Sequence, residues 1–343
     1  MVMIKNENFS LQRLTALWAF SEAALGGLLH ALHIPFSGIV LGGFAIMFIS
    51  LIAYYSKNHS EIIKALAIVL AVKFAVSPHT PIGAYISVSV QGLAGYLVFR
   101  FIKNYCFSVF ILSVFAMLFS SMQKIIVYII LFGFDLINSI NMFISISTKQ
   151  LPFLKSLPNN FNYGLFIISV YLGVYLISGF VIGFIISKLP KWLDDAWENN
   201  LYKNIEVNNK SNQVFFDAKK KKKSKKKTVP IILSVSILLL IFSYLFPQYE
   251  KLESTRLLII IIRALSILAI WYLIVIPILS KILKKFVQKS KSKYSEEVDE
   301  IINLFPLFKE TFITGWQYSR NERLLNKVKY FLVFLILTFL TKE

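Results

Sequence analysis

Long apolar runs dominate the chain, and short polar stretches separate them. Eight runs fit spanning helices, at about 14–32, 38–55, 62–76, 82–101, 107–132, 163–187, 231–246 and 257–279. About 20 mostly apolar residues let a helix cross a hydrocarbon core of about 30 Å. The runs lack the two-residue alternation of membrane β-barrel strands. Lipid offers no partner for a bare backbone amide, so the pattern predicts an all-α polytopic membrane protein. The third run is short and carries Lys64 and Lys73.

Beyond the eighth run the period changes. Val298, Ile301, Phe305, Phe308, Phe312 and Trp316 recur every three or four positions, which predicts one face of an amphipathic helix. Pro306 is expected to kink that helix or divide it in two. The last apolar run, 330–340, is too short to span unaided and is expected to lie against other helices or at the interface.

Basic residues order the loops. Lys57, Arg100, Lys103, Lys188, Lys191 and the block "KKKKKSKKK" fall on one side, and "HALHIPFSG" and "SPHTPIG" on the other contain neither Lys nor Arg. The positive-inside rule then places the N-terminus, the linker 191–228 and the tail in the cytoplasm, as expected for a bacterial inner membrane protein. The sequence divides into a six-helix unit, 1–190, a Lys-rich linker, 191–228, and two helices with an amphipathic cytoplasmic tail, 229–343.

Composition narrows the function. The net charge is +19, with Lys far ahead of Arg, which suits anionic lipid better than base-specific nucleic-acid readout. The Lys block reads first as a stop that fixes topology, and second as a clamp for lipid headgroups or an acidic partner. The single Cys106 rules out an intrachain disulfide and a cysteine metal cluster. The first apolar run is too long for a cleavable signal peptide. The sequence contains no P-loop "GxxxxGK[ST]" and no HExxH motif, and no Ser-His-Asp set or carboxylate pair stands out. Enzymatic activity is not expected, no resident cofactor is implied, and energy for transport must come from elsewhere.

The chemistry concentrates near the outer ends of the early helices. Of four histidines, His30, His33 and His79 fall there. Neutral imidazole is a common ligand for transition metals, and a spacing of three puts His30 and His33 on one helix face. The set reads either as a metal site or as interfacial histidines. Glu22 lies inside the first run, where a carboxylate must face the protein interior. It can bind substrate, pair with Lys73 or Lys124, or bond a neighbouring helix. Ala19, Ala23 and Gly27 form a small-residue ladder, open either to a helix of this chain or to a partner subunit. Gln91 is an intramembrane amide with the same two options, interhelical glue or substrate contact.

Six helices with outward loops after the first, third and fifth, the "AFSEA" ladder, and the "IPFSG" turn into a glycine-rich helix resemble the substrate-binding (S) component of energy-coupling-factor transporters. The resemblance covers about residues 10–190 and extends to that superfamily's nickel/cobalt and biotin members. It implies a vitamin-sized molecule or a transition-metal ion as substrate, enclosed by the outer loops. Carried over, Glu22, His30, His33, Ser77, His79 and Gln91 line or cap the pocket. Ala19, Ala23 and Gly27 become the face that docks a coupling (T) component, which in turn engages ABC-type ATPases. The second half is loosely similar to a truncated T component, with Phe305, Phe308, Phe312, Trp316, Arg320 and Arg323 as its contact residues. One departure is the start, "MVMIKNENF", where metal-binding members have a histidine beside the initiator methionine. The reading from a different class is a non-transporting membrane scaffold that assembles partner proteins through its basic linker and tail.

Overall fold

A computed structural model describes residues 7–31, 36–77, 80–132, 135–150, 161–199, 265–275, 293–320 and 324–341, with isolated positions between 234 and 285. Among them there is no strand. The first helical run comprises α1 (Glu7–Phe20), a π-turn (Ser21–Leu25) and α2 (Gly26–Ala31). Then come α3 (Ser37–Tyr55), α4 (Ser60–Val76), α5 (Ile82–Phe101), α6 (Tyr105–Phe132), α7 (Asp135–Gln150) and α8 (Tyr163–Glu198). The C-terminal part contributes α9 (Ser295–Asn303), α10 (Phe305–Ser319) and α11 (Leu324–Thr341).

Among the described residues, four helical segments are long and apolar enough to cross a membrane: Ser37–Tyr55, Ile82–Phe101, Tyr105–Ile130 and Tyr163–Glu198. The protein is therefore helical and membrane-embedded. Its exposed Leu97, Ile126 and Phe180 suit a hydrocarbon environment. Of the eight runs, 231–246 lies largely outside the described residues, and within 257–279 the described apolar helix is Leu265–Val275, shorter than a span.

Two helices depart from the sequence reading. The connection after α6 contains α7, because Leu136, Ile137, Ile140, Phe143 and Ile144 keep the helical spacing among its serines and asparagines. Asn141 ties α7 to α8: its amide donates to Asn162 Oδ1 at 2.9 Å, and its carbonyl accepts from the Gly164 N–H at 2.8 Å. In turn α8 runs past residue 187, through Pro190, to Glu198. Ile186, Leu189, Leu193 and Ala196 form a buried face there, and their packing outweighs the hydrogen bond that proline omits.

The chain groups into two compact units. One holds 1–120, 175–217 and 285–343; the other holds 121–174 and 218–284. The first unit carries most of the described core, including Leu14, Trp18, Ala45, Ile49, Val69 and Leu112. The tail 285–343 belongs to it and does not stand apart from the N-terminal helices. Phe20 of α1 meets Phe305 edge-on at 5.2 Å and Phe308 in a tilted contact at 5.2 Å, and Phe308 packs tilted against Phe339 of α11 at 4.4 Å. The expected division at Pro306 falls at Leu304, with the proline in the first turn of α10, where its missing N–H costs nothing. The final apolar run packs inward, and Val333, Phe334, Ile336 and Phe339 are buried.

Glycines set the closest approaches. A methyl group at Gly95 of α5 would collide with Ile49 Cγ2 of α3, a branched group with little room to turn. Gly95→Ala is expected to destabilise the protein by about 1–3 kcal/mol through overpacking. Denaturant unfolding in detergent micelles checks this; an unchanged midpoint would mean that α3 and α5 are free to separate.

Candidate functional site

Among the described residues, the charged centre of the first unit is one ion pair. Lys73 Nζ of α4 lies 2.6 Å from Glu22 Oε2, and the two side chains are only 2% and 3% exposed. Glu22 stands in the π-turn, where the Gly26 N–H reaches back five residues to the Ser21 carbonyl. Such single wide turns recur at functional sites in helices. The turn also rotates the helix beyond it, so Ala19, Ala23 and Gly27 do not form one straight stripe.

The surroundings are polar and closely packed. Ser77 Oγ, at the end of α4, donates to the Ala23 carbonyl at 3.0 Å. A methyl group on Gly27 would sit 3.4 Å from the same Ser77 Oγ. The ladder therefore admits α4 beside α1 and α2. Ala19 and Ala23 are 0% and 1% exposed, so within this chain their faces are already covered. Lys73 Nζ also lies 5.8 Å from the Tyr85 ring of α5, and the Tyr85 hydroxyl points to the Ser77 carbonyl at 3.4 Å. Tyr85 went unmarked in the sequence, where a tyrosine one turn into a spanning helix carries no signal of its own.

Gln91 occupies a separate position. It is 3% exposed, and its amide nitrogen lies 3.5 Å from Ser120 Oγ of α6. A methyl group on Gly42 would lie 3.4 Å from that nitrogen and 3.0 Å from Met117 Cε. Gly38 and Gly43 likewise admit Tyr175 and Ile182 of α8. The glycine-rich start of α3 thus serves close packing by α5, α6 and α8, with Gln91 bonding between α5 and α6. Just before it, Phe36 adopts a left-handed conformation at φ 59°, the one non-glycine residue to do so among those described.

The other sequence candidates distribute as follows. His30 falls in α2, while His33 and His79 lie outside the described residues. No group of three or more His, Cys, Asp or Glu able to hold a metal occurs among the described residues. Phe305 and Phe308 are buried, Phe312 meets Phe331 edge-on at 5.0 Å, and Trp316 and Arg320 are exposed. Arg323 lies outside the described residues. Lys124, the other partner considered for Glu22, is exposed on α6.

A second polar feature was not foreseen. A cleft of about 420 Å³ opens between α1, α4 and α9, lined by Gln12, Glu61, Lys64, Glu296, Glu297 and Glu300 above apolar Leu11 and Ile68. Gln12 donates to Glu300 at 2.6 Å, and Lys64 lies 6.0 Å from the Tyr294 ring. Partial burial lowers the pKa of neighbouring Arg13, and the charge of Glu300 opposes that shift. The signal was the acidic run "SEEVDE" beside an apolar face, but its spatial neighbours are hundreds of residues away in sequence.

No family model, curated protein or solved structure matches the chain.

Proposed function

We propose that this protein is the membrane component of a micronutrient uptake system. It binds a vitamin-sized molecule or a transition-metal ion at the outer face and depends on a partner for energy. In this reading eight helices span the bacterial inner membrane with the N-terminus inside, and residues 1–190 act as an S-like binding unit. The observation that carries the reading is the docking of the tail on the ladder helix, through Phe20 against Phe305 and Phe308. In the resembled family, that helix is where the coupling component docks. Here the tail would couple the binding unit to an ABC-type ATPase.

The buried Glu22–Lys73 pair agrees with this reading: intramembrane charges are retained where they serve an interior path or a switch. The rival reading, a non-transporting scaffold, is favoured by the acidic cleft, because the tail builds it beside the N-terminal helix.

Gentle purification with mass spectrometry and elemental analysis separates the two. The uptake reading expects one retained metal or small organic molecule and an ATP-hydrolysing subunit lost on deletion of 293–343. A chain that retains neither, yet holds other membrane proteins, would overturn it. The topology has its own check. Ser224→Cys and Ser292→Cys in a Cys106→Ser background are expected to stay unlabelled from outside intact cells.

A further inference from the structure

The first turns of α11 hold two lysine–tryptophan pairs. Lys327 Nζ lies 4.3 Å from the Trp316 ring of α10, and Lys329 Nζ lies 5.7 Å from the Trp192 ring of α8. Residues two apart on a helix point to opposite flanks, so α11 carries one pair on each side at one level. That level is a boundary on both helices. Burial on α11 begins at Phe331, immediately beyond the lysines. On α8 the exposed apolar Phe180 and Phe184 give way to Lys188, whose Nζ lies 3.8 Å from the Phe184 ring, and then to Trp192. A spanning helix and the tail helix therefore change from apolar to basic at the same place.

Tryptophan and snorkelling lysine mark the headgroup level of a membrane. Beyond Trp192, α8 carries Asp194, which lies close to Tyr54 and Tyr55, and the exposed Asp195. Trp316 is 51% exposed, and its ring is held edge-on by Phe331 at 6.0 Å.

We propose that the pairs Lys327–Trp316 and Lys329–Trp192 each hold the headgroup of an anionic phospholipid, one on either flank of α11. Each indole orients one ammonium group, which takes a phosphodiester, and the acyl chains of the lipid at Trp192 run along the apolar surface of α8. The occupant is anionic because each pair presents a cation on an aromatic ring, and a zwitterionic headgroup would bring its own ammonium against it. This inference needs only the membrane-embedded state, and it stands whichever functional reading holds.

The full chain, reconstituted with equal amounts of phosphatidylglycerol and phosphatidylcholine, is the test, read by native mass spectrometry. Wild type is expected to retain the anionic lipid preferentially. Each lysine should contribute about fivefold, so Lys327→Gln/Lys329→Gln should lower the preference by tenfold or more. Lys57→Gln/Lys103→Gln should leave it unchanged. If the double variant fails to fold, Trp316→Leu at an exposed ring is expected to lower the preference about threefold. Equal retention of both lipids by wild type, or an unchanged preference in the variants, would overturn the site. So would displacement of the lipid by millimolar inorganic phosphate.

Discussion

Lys73→Met is expected to destabilise the folded protein by about 3–5 kcal/mol, a larger effect than most single changes produce. The reason is asymmetry. Glu22 and Lys73 are both buried, at 2.6 Å. Each ion was desolvated at a cost that only the other offsets. Removing Lys73 leaves the buried carboxylate with no other cation at ion-pair distance among the described residues. Glu22→Leu should also destabilise, because it leaves Lys73 buried without its partner. The double variant Glu22→Leu/Lys73→Met should recover most of the stability, because two apolar groups of similar volume can replace a buried pair. Denaturant titration of the four proteins gives the coupling energy directly. Additive effects would show that the side chains do not form a pair in the membrane. The cycle also bears on function. A double variant with wild-type stability but no uptake would assign the pair to transport, whereas one with normal uptake would leave it a structural tie.

The pair illustrates what was legible in the chain. Glu22 inside an apolar run announces a buried carboxylate, and the need for an internal partner follows from lipid chemistry. Choosing Lys73 over Lys124 does not follow, because it depends on which helices are neighbours. The same limit governs the tail. The three-to-four spacing from Val298 to Trp316 reveals an apolar face, and Pro306 reveals its division, yet neither names the surface covered. That surface is α1, reached across nearly the whole chain, where Phe20 has no feature to set it apart from the chain's other phenylalanines. α7 was hidden for a different reason: Ser and Asn compete for backbone hydrogen bonds, so the segment reads as a loop until α8 supplies Gly164 and Asn162 as partners. The acidic cleft joins Glu61 to residues 296–300, a juxtaposition that only the folded tail creates.

Phe308→Ala is expected to cost about 3–5 kcal/mol, with the effect concentrated in the tail. Phe308 is 1% exposed and meets Phe305 of its own helix at 6.2 Å and two other helices, through Phe20 of α1 at 5.2 Å and Phe339 of α11 at 4.4 Å. A cavity at this junction forfeits dispersion contacts that the surrounding rings recover only in part. Phe308→Leu keeps much of the volume and should cost clearly less. Local opening has its own signature. Trypsin cleavage at Lys309 and Arg320 should accelerate in Phe308→Ala under conditions where the remaining core stays folded, because the tail would open as a unit of lower stability. If cleavage rates and unfolding midpoints match wild type, Phe308 does not anchor the tail, and docking on α1 loses its main contact. If the tail opens while the core persists, the same variant tests coupling. Ligand retention would then survive and association with the ATPase would fail, since the first depends on the six-helix unit and the second on the tail held against α1.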